Sequence, residues 1–349
     1  MKIDELSGSP ITVTSKTPHA LSRIPSEPPG PGHAAGVRGT WRSASHRSLL
    51  ADGALLVVAL IWGATFVMVK DAVATYPVFS FLALRFSFAA LALLPVVLLR
   101  RGRSRQQRKS PPSSLRAGLS TAAAPILMGM ALFAGYALQT FGLRLTTPAK
   151  AGFVTGLSVV IVPVVATLAL HQKLARGAWL GVGLATAGLA LLTLNAGFSV
   201  NPGDVLVFGC AVAFACQILL TGRFAPRFDP LLLTFGQIVV VALLAAAAAL
   251  VVERPAIPTG SVLFAAAFTG ILATSLAFGV QTVAQRFTSS TRTALIFATE
   301  PIFAALFSFL LIGEVLGLRQ LAGCGLILAG MVLAEVMRDD RTDTGGGDE

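Results

Sequence analysis

Two ionisable side chains stand inside long apolar runs: Arg85 in Leu84-Arg85-Phe86 and Glu300 in Thr299-Glu300-Pro301. A charge inside a membrane is costly, so each marks a polar pathway or a structural pair. Counted from the run ends, Arg85 falls about 10 Å below one surface and Glu300 about 12 Å above the other. On a hydrocarbon core of about 30 Å these depths differ by about 8 Å, within reach of long side chains and tilt. The two can pair as a gate, hold a fixed structural bridge, or serve a ligand separately. Pro301 adds to the Glu300 position, because it removes a helical donor and frees a carbonyl beside a carboxylate. That combination suits a cation, a proton or an amine. Pro95 and Pro163 make similar breaks, read here as packing kinks.

Other side chains fill out the polar set. Tyr136, Gln139, Thr140 and Thr155 fall in the third and fourth runs, Gln281 and Thr282 in the eighth. Amides and hydroxyls there line a cavity or bond neighbouring helices. Trp62 can stack on a ligand or pack against apolar neighbours. Lys150 and Arg292 each begin a run. Lys150 can meet an anionic group, whereas Arg292 reads as a snorkelling anchor. The expected pathway residues are therefore Trp62, Arg85, Tyr136, Gln139, Lys150, Thr155, Gln281 and Glu300. Glu314 and Glu335, near run ends, receive no chemistry. Gly152-x-x-x-Gly156, with Gly183, Gly188, Gly325 and Gly330, would let helices approach closely.

Catalytic constellations are missing. No HExxH and no GxxxxGK[ST] occurs, and His171 has no evident Ser or Cys partner. Cys210, Cys216 and Cys324 sit in apolar runs and read as small hydrophobes. The expectation is no cofactor, no metal and no enzyme.

These residues need a membrane body to position them, and the composition supplies one. Of 349 residues 54% are apolar and 12% charged, with mean hydropathy +0.77. A soluble domain carries about 25% charged residues, so a water-soluble globule is excluded. The net charge of +11 does not point to nucleic acid, because the basic residues lie between apolar runs. Ten runs are long enough to cross a bilayer: about 50–69, 78–99, 119–141, 149–170, 178–195, 203–222, 231–252, 262–283, 292–312 and 319–337. Basic residues recur in alternate breaks, most densely in 100–117, which holds seven Lys/Arg and no acid. The positive-inside rule then places both termini in the cytoplasm. Residues 1–48, rich in Ser, Pro, Gly and Arg, are expected to be a disordered arm. The body divides into repeats at 49–197 and 202–337, with a short polar tail over 338–349.

A shift of 142 residues lays Gln139-Thr140 on Gln281-Thr282, Arg144 on Arg286 and Lys150 on Arg292. It also lays Gly181, Gly183 and Gly188 on Gly323, Gly325 and Gly330. The unit has five spans, and an odd count inverts the second copy in the bilayer. Inverted repeats are a recurring transporter architecture, with the substrate near the midplane. The expected fold is an all-α integral membrane protein of ten helices, two inverted five-helix repeats around a central cavity.

Ile61-Trp62-Gly63-Ala64-Thr65-Phe66, Leu84-Arg85-Phe86, Gly135-Tyr136-Ala137-Leu138-Gln139-Thr140 and Ala149-Lys150-Ala151-Gly152-Phe153 resemble the first half of EamA-type permeases. Thr299-Glu300-Pro301 and Gly313-Glu314 resemble the second half. That family belongs to the drug/metabolite transporter superfamily. The resemblance, over about 50–337, implies a carrier of small metabolites such as amino acids or drug-like compounds, usually outward. Ser158 stands where it implies an aromatic residue. Expected partners are a small-molecule solute and the lipid bilayer, with a coupling proton, a counter-substrate and a homodimer left open, and no nucleic acid. An anionic-metabolite exchanger and a membrane scaffold or receptor without flux are the competing readings.

Overall fold

A computed structural model describes residues 32–107, 115–170, 176–193, 200–288 and 290–339. His171 lies outside them, as do the side chains of Pro163, Arg292 and Glu335. The chain forms two compact units, Met1–Ala44 and Ser45–Glu349, and the second holds all the apolar runs.

The described residues are helical: α1 Gly32–Thr75, α2 Val78–Gln107, α3 Leu115–Leu145, α4 Pro148–Gly156, α5 Ser158–Leu170, α6 Arg176–Thr193, α7 Pro202–Phe224 and α8 Pro230–Val252. Then come α9 Gly260–Gly270, a π-helix Ile271–Leu276, α10 Ala277–Ala284, α11 Ser290–Phe297, α12 Glu300–Ile312 and α13 Leu318–Asp339. Helix α1 begins inside the stretch expected to be disordered. No proline falls between Pro31 and Pro77, so backbone chemistry does not stop the helix within it.

Several helix starts are set by a capping residue followed by proline. Thr147 accepts from Lys150 N, Asn201 from Gly203 N, and Asp229 from Leu231 N, and each is followed by Pro. A short polar cap satisfies an orphan N–H, and proline at the first position loses no hydrogen bond. The end of α12 is set by Gly313, whose φ of 67° suits a residue without Cβ.

Among the described residues six helices are long and apolar enough to cross a membrane: Leu49–Thr75, Val78–Arg100, Ala123–Leu145, Pro202–Phe224, Pro230–Val252 and Gly260–Ala284. Shorter apolar helices cover Pro148–Val162, Trp179–Leu192, Glu300–Ile312 and Leu318–Gly330. Interruptions separate these classes. The run expected at 149–170 breaks at Leu157, and the run at 292–312 breaks at Ala298–Thr299. Leu91, Leu99, Leu243, Leu250, Phe264 and Leu310 are exposed, as lipid-facing side chains would be. The interior is filled largely by alanine and valine, with leucine and phenylalanine next.

Helices α6 and α13 pack closely through glycines. A Cβ at Gly188 would lie 2.6 Å from Gly323 O and 2.8 Å from Ile327 N. One at Gly330 would lie 2.6 Å from Gly181 O and 2.7 Å from Ala185 N. A Cβ at Gly152 would lie 2.5 Å from the Ala304 Cβ. A Cβ at Gly183 or Gly325, grouped with these by sequence, would meet nothing within 4 Å. They sit five residues from Gly188 and Gly330, so the helical turn carries them off the contact. Gly188→Leu should therefore destabilise by about 3 kcal/mol, the upper range for overpacking. Gly183→Leu should stay within about 0.5 kcal/mol. Melting temperatures of the purified variants in detergent test this contrast.

Candidate functional site

The strongest concentration of polar side chains in the body is a cavity. Trp62, Thr65 and Phe66 come from α1, Arg85 from α2, Tyr136 and Gln139 from α3, and Thr155 and Ser158 from α4 and α5. From the later helices come Phe214, Gln217 and Ile218, Phe278 and Gln281, then Phe297 and Glu300. Its volume is about 40 Å³. A water needs about 10–15 Å³ on that measure, so the space admits a few waters and no organic solute. The described conformation is contracted.

Arg85 is 3% exposed and held from two sides. Its Nε donates to Thr274 Oγ1 at 2.9 Å, and Nη2 donates to the Tyr136 hydroxyl at 3.2 Å. The guanidinium also lies 4.5 Å from the centroid of the Tyr136 ring, a cation–π contact. Among the described residues Arg85 makes no ion pair with Glu300.

The Thr274 contact depends on the π-helix. Thr274 lies within Ile271–Leu276, where its hydroxyl donates five residues back to Thr269 O at 3.0 Å. In the same segment Ala273 O accepts from Trp62 Nε1 at 2.7 Å. A π-bulge frees backbone groups and is frequent at functional sites. Here it anchors both Trp62 and Arg85.

Glu300 opens α12, next to Pro301, and is 7% exposed. Its carboxylate has no hydrogen-bond partner among the described residues. Trp62, in the same cavity, packs on two other lining rings, 4.8 Å from Phe297 and 5.3 Å from Phe278.

Amides extend the cavity into the protein. Gln281 Nε2 donates to Gln217 Oε1 and to Gln285 Oε1, both at 3.2 Å. Gln217 Nε2 donates to Gln237 Oε1 at 3.1 Å, and Gln285 Nε2 to Ile218 O at 3.2 Å. Gln139 Nε2 donates to Thr155 Oγ1 at 3.2 Å. Gln281 Oε1, Gln237 Nε2 and Thr140 Oγ1 are buried without a partner.

Of the residues expected on the pathway, Trp62, Arg85, Tyr136, Gln139, Thr155, Gln281 and Glu300 line this one cavity. Lys150 is not among its lining residues. It sits in the first turn of α4, five residues before Thr155, about 7.5 Å along the axis and on a different side. Sequence reasoning also left out Gln217, Thr274, Phe214, Phe278 and Phe297. An amide in the apolar run Ala215-Cys216-Gln217-Ile218-Leu219 was a usable signal for Gln217. The aromatic residues carried none that separates lining from packing.

A second polar cluster closes one end of the helices. Lys70 Nζ donates to Leu143 O at 3.2 Å and to Thr146 O. The Thr146 hydroxyl donates to Asp204, and Asn201 Nδ2 donates to Leu145 O. Glu314 accepts from Ala149 N and from Ser308. Glu253 accepts from Phe79 N at 2.7 Å and from Ser80 N at 2.8 Å, capping α2. Burial first, and then that carboxylate, raises the nearby Tyr76 phenol above its ordinary value.

The chain belongs to the EamA-like transporter family, whose sequence pattern matches it over residues 49–194 and again over 201–335. A protein of Archaeoglobus fulgidus described as an uncharacterized transporter is 31% identical over 290 residues, covering 83% of this chain and 87% of its own. The uncharacterized transporter YyaM of Bacillus subtilis is 25% identical over 294 residues, 80% of this chain and 92% of its own. A solved crystal structure of a protein, 21% identical, matches the fold with TM-score 0.62, covering 85% of this chain and 99% of that one. The homologues and the apolar helices together make this a multi-pass membrane protein of a transporter family.

Proposed function

We propose that this protein is a secondary carrier, an exporter of small organic metabolites or drug-like solutes across the cytoplasmic membrane by alternating access. It is not an enzyme. Its ten spanning segments form two inverted five-helix repeats, 49–197 and 202–337, with both termini in the cytoplasm. The observation that carries the reading is the cavity, which draws charged, amide and aromatic side chains from both family-matched segments.

Two further features support the inverted arrangement. The α6–α13 contact pairs Gly188 with Gly323 and Gly330 with Gly181. Under the shift of 142 residues each contact becomes the other, as a two-fold axis between the helices requires. The helix breaks obey the same shift, one at Leu157 and one at Thr299, which brings Ser158 and Glu300 to matching positions in one cavity. Such discontinuous helices are typical of carrier binding sites.

An anionic-metabolite exchanger is less well supported, because Arg85 is already bonded and Lys150 is off the cavity. Measured flux would exclude a scaffold. In proteoliposomes loaded with unlabelled solute, a carrier accumulates external labelled solute by counterflow, and a scaffold accumulates none. Orientation has its own test. In a background lacking the native cysteines, Val200→Cys should react with an impermeant thiol reagent outside intact cells. Arg227→Cys should react only after permeabilisation. Reversed labelling would overturn the assignment of the termini.

A further inference from the structure

The cavity has one unmet electrostatic demand. Glu300 is buried, lines the cavity and accepts no hydrogen bond among the described residues. A carboxylate without donors in a low-dielectric site holds its charge only when a cation pairs with it. The cavity's own cation does not answer it, because Arg85 is bonded to Thr274 and Tyr136 and covered by the Tyr136 ring.

The backbone beside Glu300 has the same polarity. Pro301 carries no N–H, so the Phe297 carbonyl, four residues earlier, lacks its helical donor. Phe297 also contributes its ring to the cavity, where it packs on Trp62, and Trp62 packs on Phe278. Aromatic faces attract cations, and tryptophan does so best. A carboxylate, a freed carbonyl and an aromatic wall are together the complement of an ammonium group on an apolar body.

Resting on the transport reading for the role of the cavity, we propose that its solute is an organic monocation, an amine with an aromatic or apolar body. The ammonium sits on Glu300 and the body lies against Trp62 and Phe297. Because the described cavity is contracted, the body enters a wider conformation in which these rings separate, and the carboxylate keeps its position at the start of α12.

The test uses the purified full chain in detergent and three ligands sharing a phenyl body: phenethylamine, phenylalanine and phenylpropionate. Titration calorimetry should rank the amine first, the zwitterion second and the anion last. Glu300→Gln should weaken amine binding about 10- to 100-fold, the scale of one charge-assisted hydrogen bond. Phenylpropionate affinity should be unchanged or improved. Should Glu300→Gln fail to fold, Glu300→Asp and the ranking on the unaltered chain still decide. Zwitterion or anion binding at least as tight as the amine would overturn the proposal, as would unchanged amine affinity in a folded Glu300 variant. Amine binding without counterflow would retire the transport reading alone. Counterflow of phenylalanine without amine binding would retire the monocation and keep the carrier.

Discussion

Gln281→Leu should be among the most destabilising single substitutions in this protein, at about 2–5 kcal/mol. The Gln281 amide gives one N–H to Gln217 and the other to Gln285. Leucine fills the space but leaves two buried acceptors without donors, each costing about 1–3 kcal/mol. Gln237→Leu should be far milder, because Gln237 already holds an unpartnered Nε2 and Gln217 keeps Thr221 as an acceptor. Replacing Gln217, Gln237 and Gln281 together by leucine should recover part of the loss, since Gln217 Oε1 is removed along with its donor and Gln285 Oε1 alone of the two acceptors stays stranded. Thermal denaturation of the three variants in one detergent reads the order. A Gln281→Leu protein as stable as the parent would show that the amides do not act as one network.

The second large effect concerns Arg85. Its planar head gives Nε to Thr274 on the π-helix and Nη2 to Tyr136 on α3. Lysine keeps the charge but is a point donor on a flexible stem and cannot reproduce that fork. Arg85→Lys should therefore lose nearly as much flux as Arg85→Ala, about 100-fold, the scale of a misplaced polar anchor. Lys150→Ala, which alters nothing in the cavity, should transport like the parent. Exchanging the charges, Arg85→Glu with Glu300→Arg, should rescue nothing, because each residue answers to different neighbours. Recovery of flux in the exchange variant would instead show a direct pair in some conformation of the cycle. Counterflow rates per folded protein, with folding checked by size-exclusion elution, distinguish these outcomes.

What could be read from residue order alone depends on the size of the physical signal. A buried charge costs enough to be conspicuous, so Arg85 and Glu300 could be singled out without a structure. Pro301 likewise announces the break beside it, through chemistry that does not depend on neighbours. The break at Leu157 has no such mark, because Gly156-Leu157-Ser158 is compatible with an unbroken helix. The π-helix is equally silent: Ile271-Leu272-Ala273-Thr274-Ser275-Leu276 reads as ordinary helix, and its extra residue shows only in hydrogen bonding. Lys150 could not be assigned a facing for a related reason. A position within a motif fixes depth poorly and facing not at all until helix phase is known.

The glycine contacts between α6 and α13 bear on how the two halves can change over evolutionary time. At Gly188 and Gly330 the opposing atoms within 3 Å include backbone carbonyl and amide groups of the other helix. A side chain that grows can usually be accommodated by trimming the side chain it strikes. Backbone cannot be trimmed. A genetic screen for suppressors of Gly188→Leu should therefore return reversion or smaller residues at the same codon, with no compensating change at Gly323. Elsewhere the two family-matched segments differ, one carrying Ser158 where a shift of 142 residues places Glu300 in the other. Under the proposed inverted repeat, function can diversify along such positions while the seam between α6 and α13 holds both segments to one shape.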